Sequence, residues 1–304
     1  MRIGVGLNEN DMRDCSIRRS QEGTDPSGVN IEIQCRCAGV GRLRLGGAMN
    51  MLASLFRGPV TYVPRSGWPG WAVLLGAAGI FVLAGIIGTL AGVGYYALTG
   101  GEVAQQDSTG LPVPQMPFAV GLAVLQICTI LLTIAAAGRY HSERKAVLAL
   151  APPSDGWRIL PWALLPLFVV SGVWTAIVLY LQPDLFINDT KPIQQLIQSD
   201  ALWLVLLVIC IGAPVSEELL FRGFLFSGLS KTWLGFIGTA VVTSLLWTSL
   251  HAGYSIFGLV EVLAMGLYFS WLLVRTGSVW VPIFCHAANN TLACVVLYFV
   301  TLPS

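Results

Sequence analysis

Charge is scarce in this sequence. Asp, Glu, Lys and Arg make up 11% of its 304 residues, where soluble domains carry about 25%. That scarcity excludes a soluble globular enzyme, a disordered chain and a nucleic-acid binder with a basic face. The two signs also nearly cancel, to a net charge of +1, so bulk charge points to no partner and none of the nucleic-acid kind is expected. Histidine is scarcer still, with three in the chain. A disulfide framework is missing too. Cys128, Cys210, Cys285 and Cys294 lie in apolar runs, where Cys behaves as a small hydrophobe. Cys15, Cys35 and Cys37 lie in the polar N-terminal stretch, and Cys35-Arg36-Cys37 is too short and isolated for a zinc site. No apolar run follows the first charges, so the N-terminus does not read as a signal peptide.

Apolar sequence is abundant instead: 55% of residues are hydrophobic and the mean hydropathy is +0.72. This describes an integral membrane protein of several helices, its surroundings the lipid bilayer. Residues 1–70 stand apart. They hold nine basic residues (Arg2, Arg13, Arg18, Arg19, Arg36, Arg42, Arg44, Arg57 and Arg65) with six acids mixed in. They show no sustained apolar period, and a disordered basic cytoplasmic tail is expected. The alternative is a true start at Met49 or Met51. From residue 71 the chain reads as apolar spans at 71–98, 118–137, 160–181, 201–228, 234–251, 256–274 and 279–301. The expected fold is therefore all-α, a polytopic transmembrane bundle of about seven spans. Gly85, Gly88 and Gly92 in the first span suit close helix packing. No internal repeat of the transporter kind is visible.

Basic residues between spans set orientation. Arg57 and Arg65 precede the first span, and 99–117 has no Lys or Arg. Arg139, Arg144, Lys145 and Arg158 lie in 138–159, and only Lys191 lies in 182–200. Lys231 follows the fourth span and Arg275 the sixth. The alternation predicts a cytoplasmic N-terminus and an external C-terminus, in the plasma membrane.

Ionisable groups inside spans are costly, so each one is a candidate for function. They are few: Glu217, Glu218 and Arg222 in the fourth span, His251 at the end of the fifth, Glu261 in the sixth, and His286 with Asn289 and Asn290 in the seventh. His141 sits in a charged loop and reads as a solvated residue. Glu218 and Arg222 are at i and i+4, the spacing of a side-chain ion pair. Glu217 points about 100° away and has no partner on its own helix. An unpaired buried carboxylate suits a general base. His286 and Asn290 share one helical face, and so do Trp247 and His251. Convergence of these faces would make a site for activating water and stabilising an oxyanion. Two arrangements stay open. In one, His251, His286 and a carboxylate hold a metal such as zinc, with water in the open position. In the other, Glu217 and His251 polarise water, and His286 with Asn290 donates to the oxyanion. The bland reading makes each group a buried bridge or interhelical hydrogen-bonding glue. Glu261 has no motif around it and is left between cavity lining and a structural hydrogen bond.

The pattern Glu217-Glu218-x-x-x-Arg222, then Trp247-x-x-x-His251, then His286-x-x-x-Asn290 resembles the three signature motifs of the CAAX prenyl protease type II and bacteriocin-processing family, which includes the lysostaphin-resistance-like proteins. Phe221-Arg222-Gly223 and His286-Ala287-Ala288-Asn289-Asn290 match as well, over roughly 200–297, and Trp247 stands where Phe is usual. The resemblance divides the membrane part into 71–199, N-terminal helices without a motif, and 200–301, a catalytic membrane domain. It implies an intramembrane endopeptidase, often classed with metalloproteases, whose Glu217 activates water with help from His251. His286 and Asn290 would stabilise the oxyanion, and Glu218 with Arg222 would hold these groups in place. Its substrate would be a membrane-associated peptide or lipidated protein, prenylated or leader-bearing. The competing reading is a non-catalytic scaffold or immunity protein that binds a partner peptide.

Counting residues raises one difficulty. His286 lies about 10 Å into its span at 1.5 Å per residue, whereas His251 ends its own span. The two meet only if the fifth span starts outside the membrane, tilts or stops midway. Segment 252–258 can turn inside the protein where it lines a cavity.

Overall fold

A computed structural model describes residues 55–100, 115–140 and 142–300, with the backbone of two strands nearer the N-terminus. His141 lies outside the described residues. The chain divides into two units, Met1–Ala48 and Met49–Ser304. In the first, β1 (Cys15–Arg19) pairs antiparallel with β2 (Ile31–Cys35), Ile17 opposite Ile33. The rest of the 1–54 tail, and with it the two alternative starts, lies outside the described residues.

The second unit is helical, as expected. Its longer helices are α1 (Gly70–Leu98), α2 (Gln115–Ala137), α3 (Trp157–Leu181), α4 (Pro183–Ile197), α5 (Leu202–Leu229), α6 (Gly235–Ser249), α7 (Ile256–Thr276) and α8 (Trp280–Phe299). Six of them, all but α4 and α6, are long and apolar enough to cross a membrane. Helix α6 is apolar but has only 15 residues. At 1.5 Å per residue it is about 22 Å long, short of a hydrocarbon core of about 30 Å.

The expected tail over 1–70 needs a correction at its end. Residues 55–69 are docked on the helices rather than disordered. The backbone N–H groups of Thr61 and Tyr62 both donate to Val274 O, at 3.2 and 3.3 Å. Arg275 Nε donates to Leu55 O at 2.7 Å. The N–H groups of Arg65 and Ser66 donate to Ser227 Oγ, and Lys231 Nζ donates to Ser66 O. Composition missed this because the partners, Ser227, Lys231 and Arg275, lie more than 150 residues away in sequence.

Helix α5 is the hub, and its backbone is not uniform. Two stretches, Val208–Gly212 and Leu219–Leu225, are wound as π-turns on either side of Ala213–Glu218. Such turns gather at functional sites. Pro214 explains the first. It has no N–H to donate, and the Ala213 N–H reaches back to Val208 O. Ile209 O is thereby left for a side chain from another helix. Buried carbonyls in a membrane helix need such partners, and α2 and α8 supply them. Gln126 Nε2 donates to Val208 O at 3.2 Å and Asn290 Nδ2 to Ile209 O at 3.0 Å.

Candidate active site

The three motifs meet around the indole of Trp247, which is 1% exposed. Helix α6 reaches α7 closely because Gly266 has no side chain; a Cβ there would lie 2.9 Å from Ser244 Cβ and 3.1 Å from the Trp247 ring. The His251 ring lies 5.2 Å from the indole centroid and the His286 ring 5.4 Å, both edge-on. The two imidazoles therefore meet one side chain, although His251 lies just past the end of the short α6.

Glu218 and Arg222 form the i, i+4 ion pair the spacing predicts, Nη1 to Oε1 at 3.0 Å, with both side chains fully buried. The guanidinium also donates Nη2 to Gly266 O at 3.1 Å. It lies against two adjacent rings, 4.7 Å from that of Trp247 and 5.6 Å from that of Phe269, a placement that favours a desolvated cation. The same Glu218 oxygen accepts from His286 Nδ1 at 3.0 Å, and the His286 ring stacks on Phe269. Glu218 thus orients an imidazole as the carboxylate of a carboxylate–histidine pair does. Its other oxygen, Oε2, is buried with no hydrogen-bond partner among the described residues.

Glu217 differs from the expectation in one respect. It has no partner on α5, but its Oε2 accepts from Trp247 Nε1 at 2.6 Å. The indole N–H, which can only donate, fixes a carboxylate that remains half-buried. His251 Nδ1 lies 3.1 Å from Trp247 O. A carbonyl only accepts, so Nδ1 carries a proton, and Nε2 is the ring nitrogen that can accept one. Asn290 spends one of its amide hydrogens on Ile209 O. Tyr254 closes the group beside His251, ring centroids 5.6 Å apart. Burial first, then the charges of Asp189, Glu217 and Glu261, push its phenol above the ordinary range, so it stays a donor.

Glu261 resolves as a structural contact: Ser171 of α3 donates to its Oε1. Sequence reading missed two features. The donor role of Trp247 toward Glu217 crosses two helices and leaves no local trace. Segment 182–200, taken as a loop, contains α4. Its signals were present: Pro183 at the first turn, Asp184 beside it, and Phe186, Ile193 and Ile197 at helical spacing.

Among the described residues no three His, Cys, Asp or Glu side chains group so as to hold an ion. Glu217 is turned to the indole and Glu218 to Arg222 and His286. The donors as placed do not make a zinc set. An apolar cavity of about 220 Å³ lies between α5, α8 and the start of α3, with Val215, Ile283 and Ala287 in its wall. None of the site's polar side chains lines it.

Several apolar helices around a buried, cross-linked polar cluster define an integral membrane protein with a site inside the helical bundle. Residues 199–292 match the family described as Type II CAAX prenyl endopeptidase Rce1-like, which bears out the resemblance carried by the three motifs. The chain is 36% identical over 105 residues to "Putative membrane peptidase YdiL" of Bacillus subtilis (strain 168), covering 34% of this chain and 41% of that protein. It is 36% identical over 92 residues to an uncharacterized 24.3 kDa protein of Escherichia coli, covering 29% and 42%. It is 23% identical over 167 residues to the uncharacterized protein YyaK of Bacillus subtilis (strain 168), covering 52% and 54%. The chain thus spans about half or less of the length of these relatives. No solved structure matches it at a significant level.

Proposed function

We propose that this protein is an intramembrane endopeptidase in which Glu217 activates a water molecule against a peptide bond of a membrane-associated substrate. One observation carries the reading: Glu217 is anchored by Trp247 Nε1 while His251 Nδ1 is held by the Trp247 carbonyl, its ring beside the same indole. Glu217 takes a proton from water, with His251 assisting, and the oxygen adds to the substrate carbonyl. The remaining amide hydrogen of Asn290 donates to the oxyanion that forms, and His286 adds an Nε2 donor when it carries both ring protons, its Nδ1–H held by Glu218. Collapse breaks the C–N bond, and the proton held by Glu217 passes to the leaving nitrogen. The family description supports a prenylated C-terminal peptide as substrate. The apolar cavity beside α5 and α8 suits an apolar chain carried by it.

The test uses the full chain in liposomes, with prenylated CAAX peptides, their unprenylated counterparts and a general peptide library. The wild type is expected to cleave, and Glu217→Gln to lower kcat by about 10²–10⁴-fold. Phenanthroline is expected to leave the rate unchanged. Inhibition by the chelator, reversed by added zinc, overturns the metal-free step. Full activity in Glu217→Gln overturns the assignment of the base. A chain that cleaves nothing but retains peptide binding in both forms supports the scaffold reading instead.

A further inference from the structure

The turn after His251 is gripped from outside its own helices. α6 ends at Ser249, and residues 250–255 lead to α7. His251 N–H donates to Thr248 O, and Tyr254 N–H donates to His251 O, each at 2.9 Å. Asp189, on α4, closes on the end of this turn with both oxygens. Oδ1 accepts from the Ser255 N–H at 2.7 Å and Oδ2 from the Ser255 hydroxyl at 2.6 Å. That hydroxyl also accepts from Gly258 N at 3.3 Å, capping α7. Gly258 makes the approach possible, because a Cβ there would lie 2.6 Å from Asp189 Oδ2. The far end of α4 is tied to α8, where Gln194 Nε2 donates to Leu297 O at 2.8 Å and to Val300 O at 2.6 Å. One helix therefore bridges the turn that follows His251 and the helix that carries His286 and Asn290.

We infer that α4 is a strap across the site and that Asp189 is a positioning residue for the peptidase reaction, fixing the 250–255 turn so that His251 and Tyr254 stand beside Trp247 and Glu217. The inference rests on the peptidase reading of the site. Asp189 touches no reacting atom; it acts through Ser255. A free turn lets the His251 ring leave the Trp247 carbonyl, so turnover suffers while substrate binding does not.

Two variants approach the contact from opposite sides. Asp189→Ala removes the acceptor. Gly258→Ala pushes a methyl against it and, within a helix, replaces glycine by the better helix former. A purely structural role for this region predicts that both variants lower the melting temperature and leave the kcat of the folded fraction unchanged. The strap predicts that both variants lower kcat at least tenfold with KM within about twofold, and that Asp189→Asn, which keeps one acceptor for the Ser255 N–H, recovers part of the loss. Hydrogen exchange on the same reconstituted chain reads the contact directly. The amides of 250–258 are expected to lose protection in both variants, and those around His286 to keep it. Wild-type kcat in both variants overturns the inference and leaves the peptidase reading standing. If the wild type cleaves nothing, the peptidase reading falls and the positioning role with it. Exchange then reports only whether the contact forms: unchanged protection in Asp189→Ala shows that Asp189 does not hold the turn.

Discussion

Two regions of the membrane unit hold their helices together in opposite ways. α1 and α2 meet where side chains are absent. A Cβ on Gly88 would lie 2.6 Å from Gly121 O, and one on Gly92 would lie 2.8 Å from Pro117 O. α5, α6 and α8 meet through polar side chains: Trp247 to Glu217, His286 to Glu218, Asn290 to Ile209. Lipid tails are as apolar as leucine, so helices gain little by burying apolar faces on one another. Close backbone approach and polar pairing are the two means left. The first makes a frame without chemistry. The second puts oriented donors and acceptors in a low-dielectric place, which is what a reaction site needs.

The comparison is broken most severely on the polar side. Arg222→Met leaves Glu218 as a fully buried carboxylate without its ion partner. Removing one member of such a pair costs about 3–5 kcal/mol. The expected outcome is a large drop in melting temperature in detergent together with loss of activity. An unchanged melting temperature would show the pair to be idle.

Trp247→Phe is a finer cut. It keeps a ring against Arg222 and both imidazoles but removes the N–H that holds Glu217. A hydrogen bond to a charged group contributes about 1.5–3 kcal/mol of stability, so the melting temperature should fall, by less than in Arg222→Met, and kcat of the folded fraction should fall about 10- to 100-fold as the base loses its anchor. Phe is the usual residue at this position in the family that the motifs resemble, so the fold should accept it. A kcat within twofold of the wild type would show that the indole N–H does not position the base.

The smallest effects belong to α1. Gly88→Leu should destabilise the α1–α2 contact by about 1–3 kcal/mol through overpacking, with kcat of the folded fraction unchanged. Gly85→Ala, on the same helix with nothing within 4 Å of the added Cβ, should do neither. Thermal unfolding of the pair checks both. Loss of turnover in Gly88→Leu would show that the frame reaches the site.

Some of this could be read directly from residue order. The Glu218–Arg222 pair needed only the i, i+4 spacing, because both residues lie on one helix. The close packing of Gly88 and Gly92 was legible in the same way, although Gly85, grouped with them by spacing, meets nothing. The partner of Glu217 was not legible. Its donor is 30 residues away, on a helix whose placement depends on Gly266. Asp189 was hidden because α4, rich in polar residues between two apolar spans, reads as a loop when only apolar length is counted.

By itself the sequence determined that the chain enters a membrane, where its apolar helices run, and which rare ionisable side chains must find partners there. Burying a charge in lipid is too costly to be casual, and that constraint is visible residue by residue. The tertiary structure decided which partners they find. It brought His251 and His286 against one indole, and it delivered Asn290 to the carbonyl that Pro214 leaves open on α5. It also laid α4 against the turn after His251. Each of these depends on distances between helices far apart in sequence, and such distances are set by packing rather than by any local pattern.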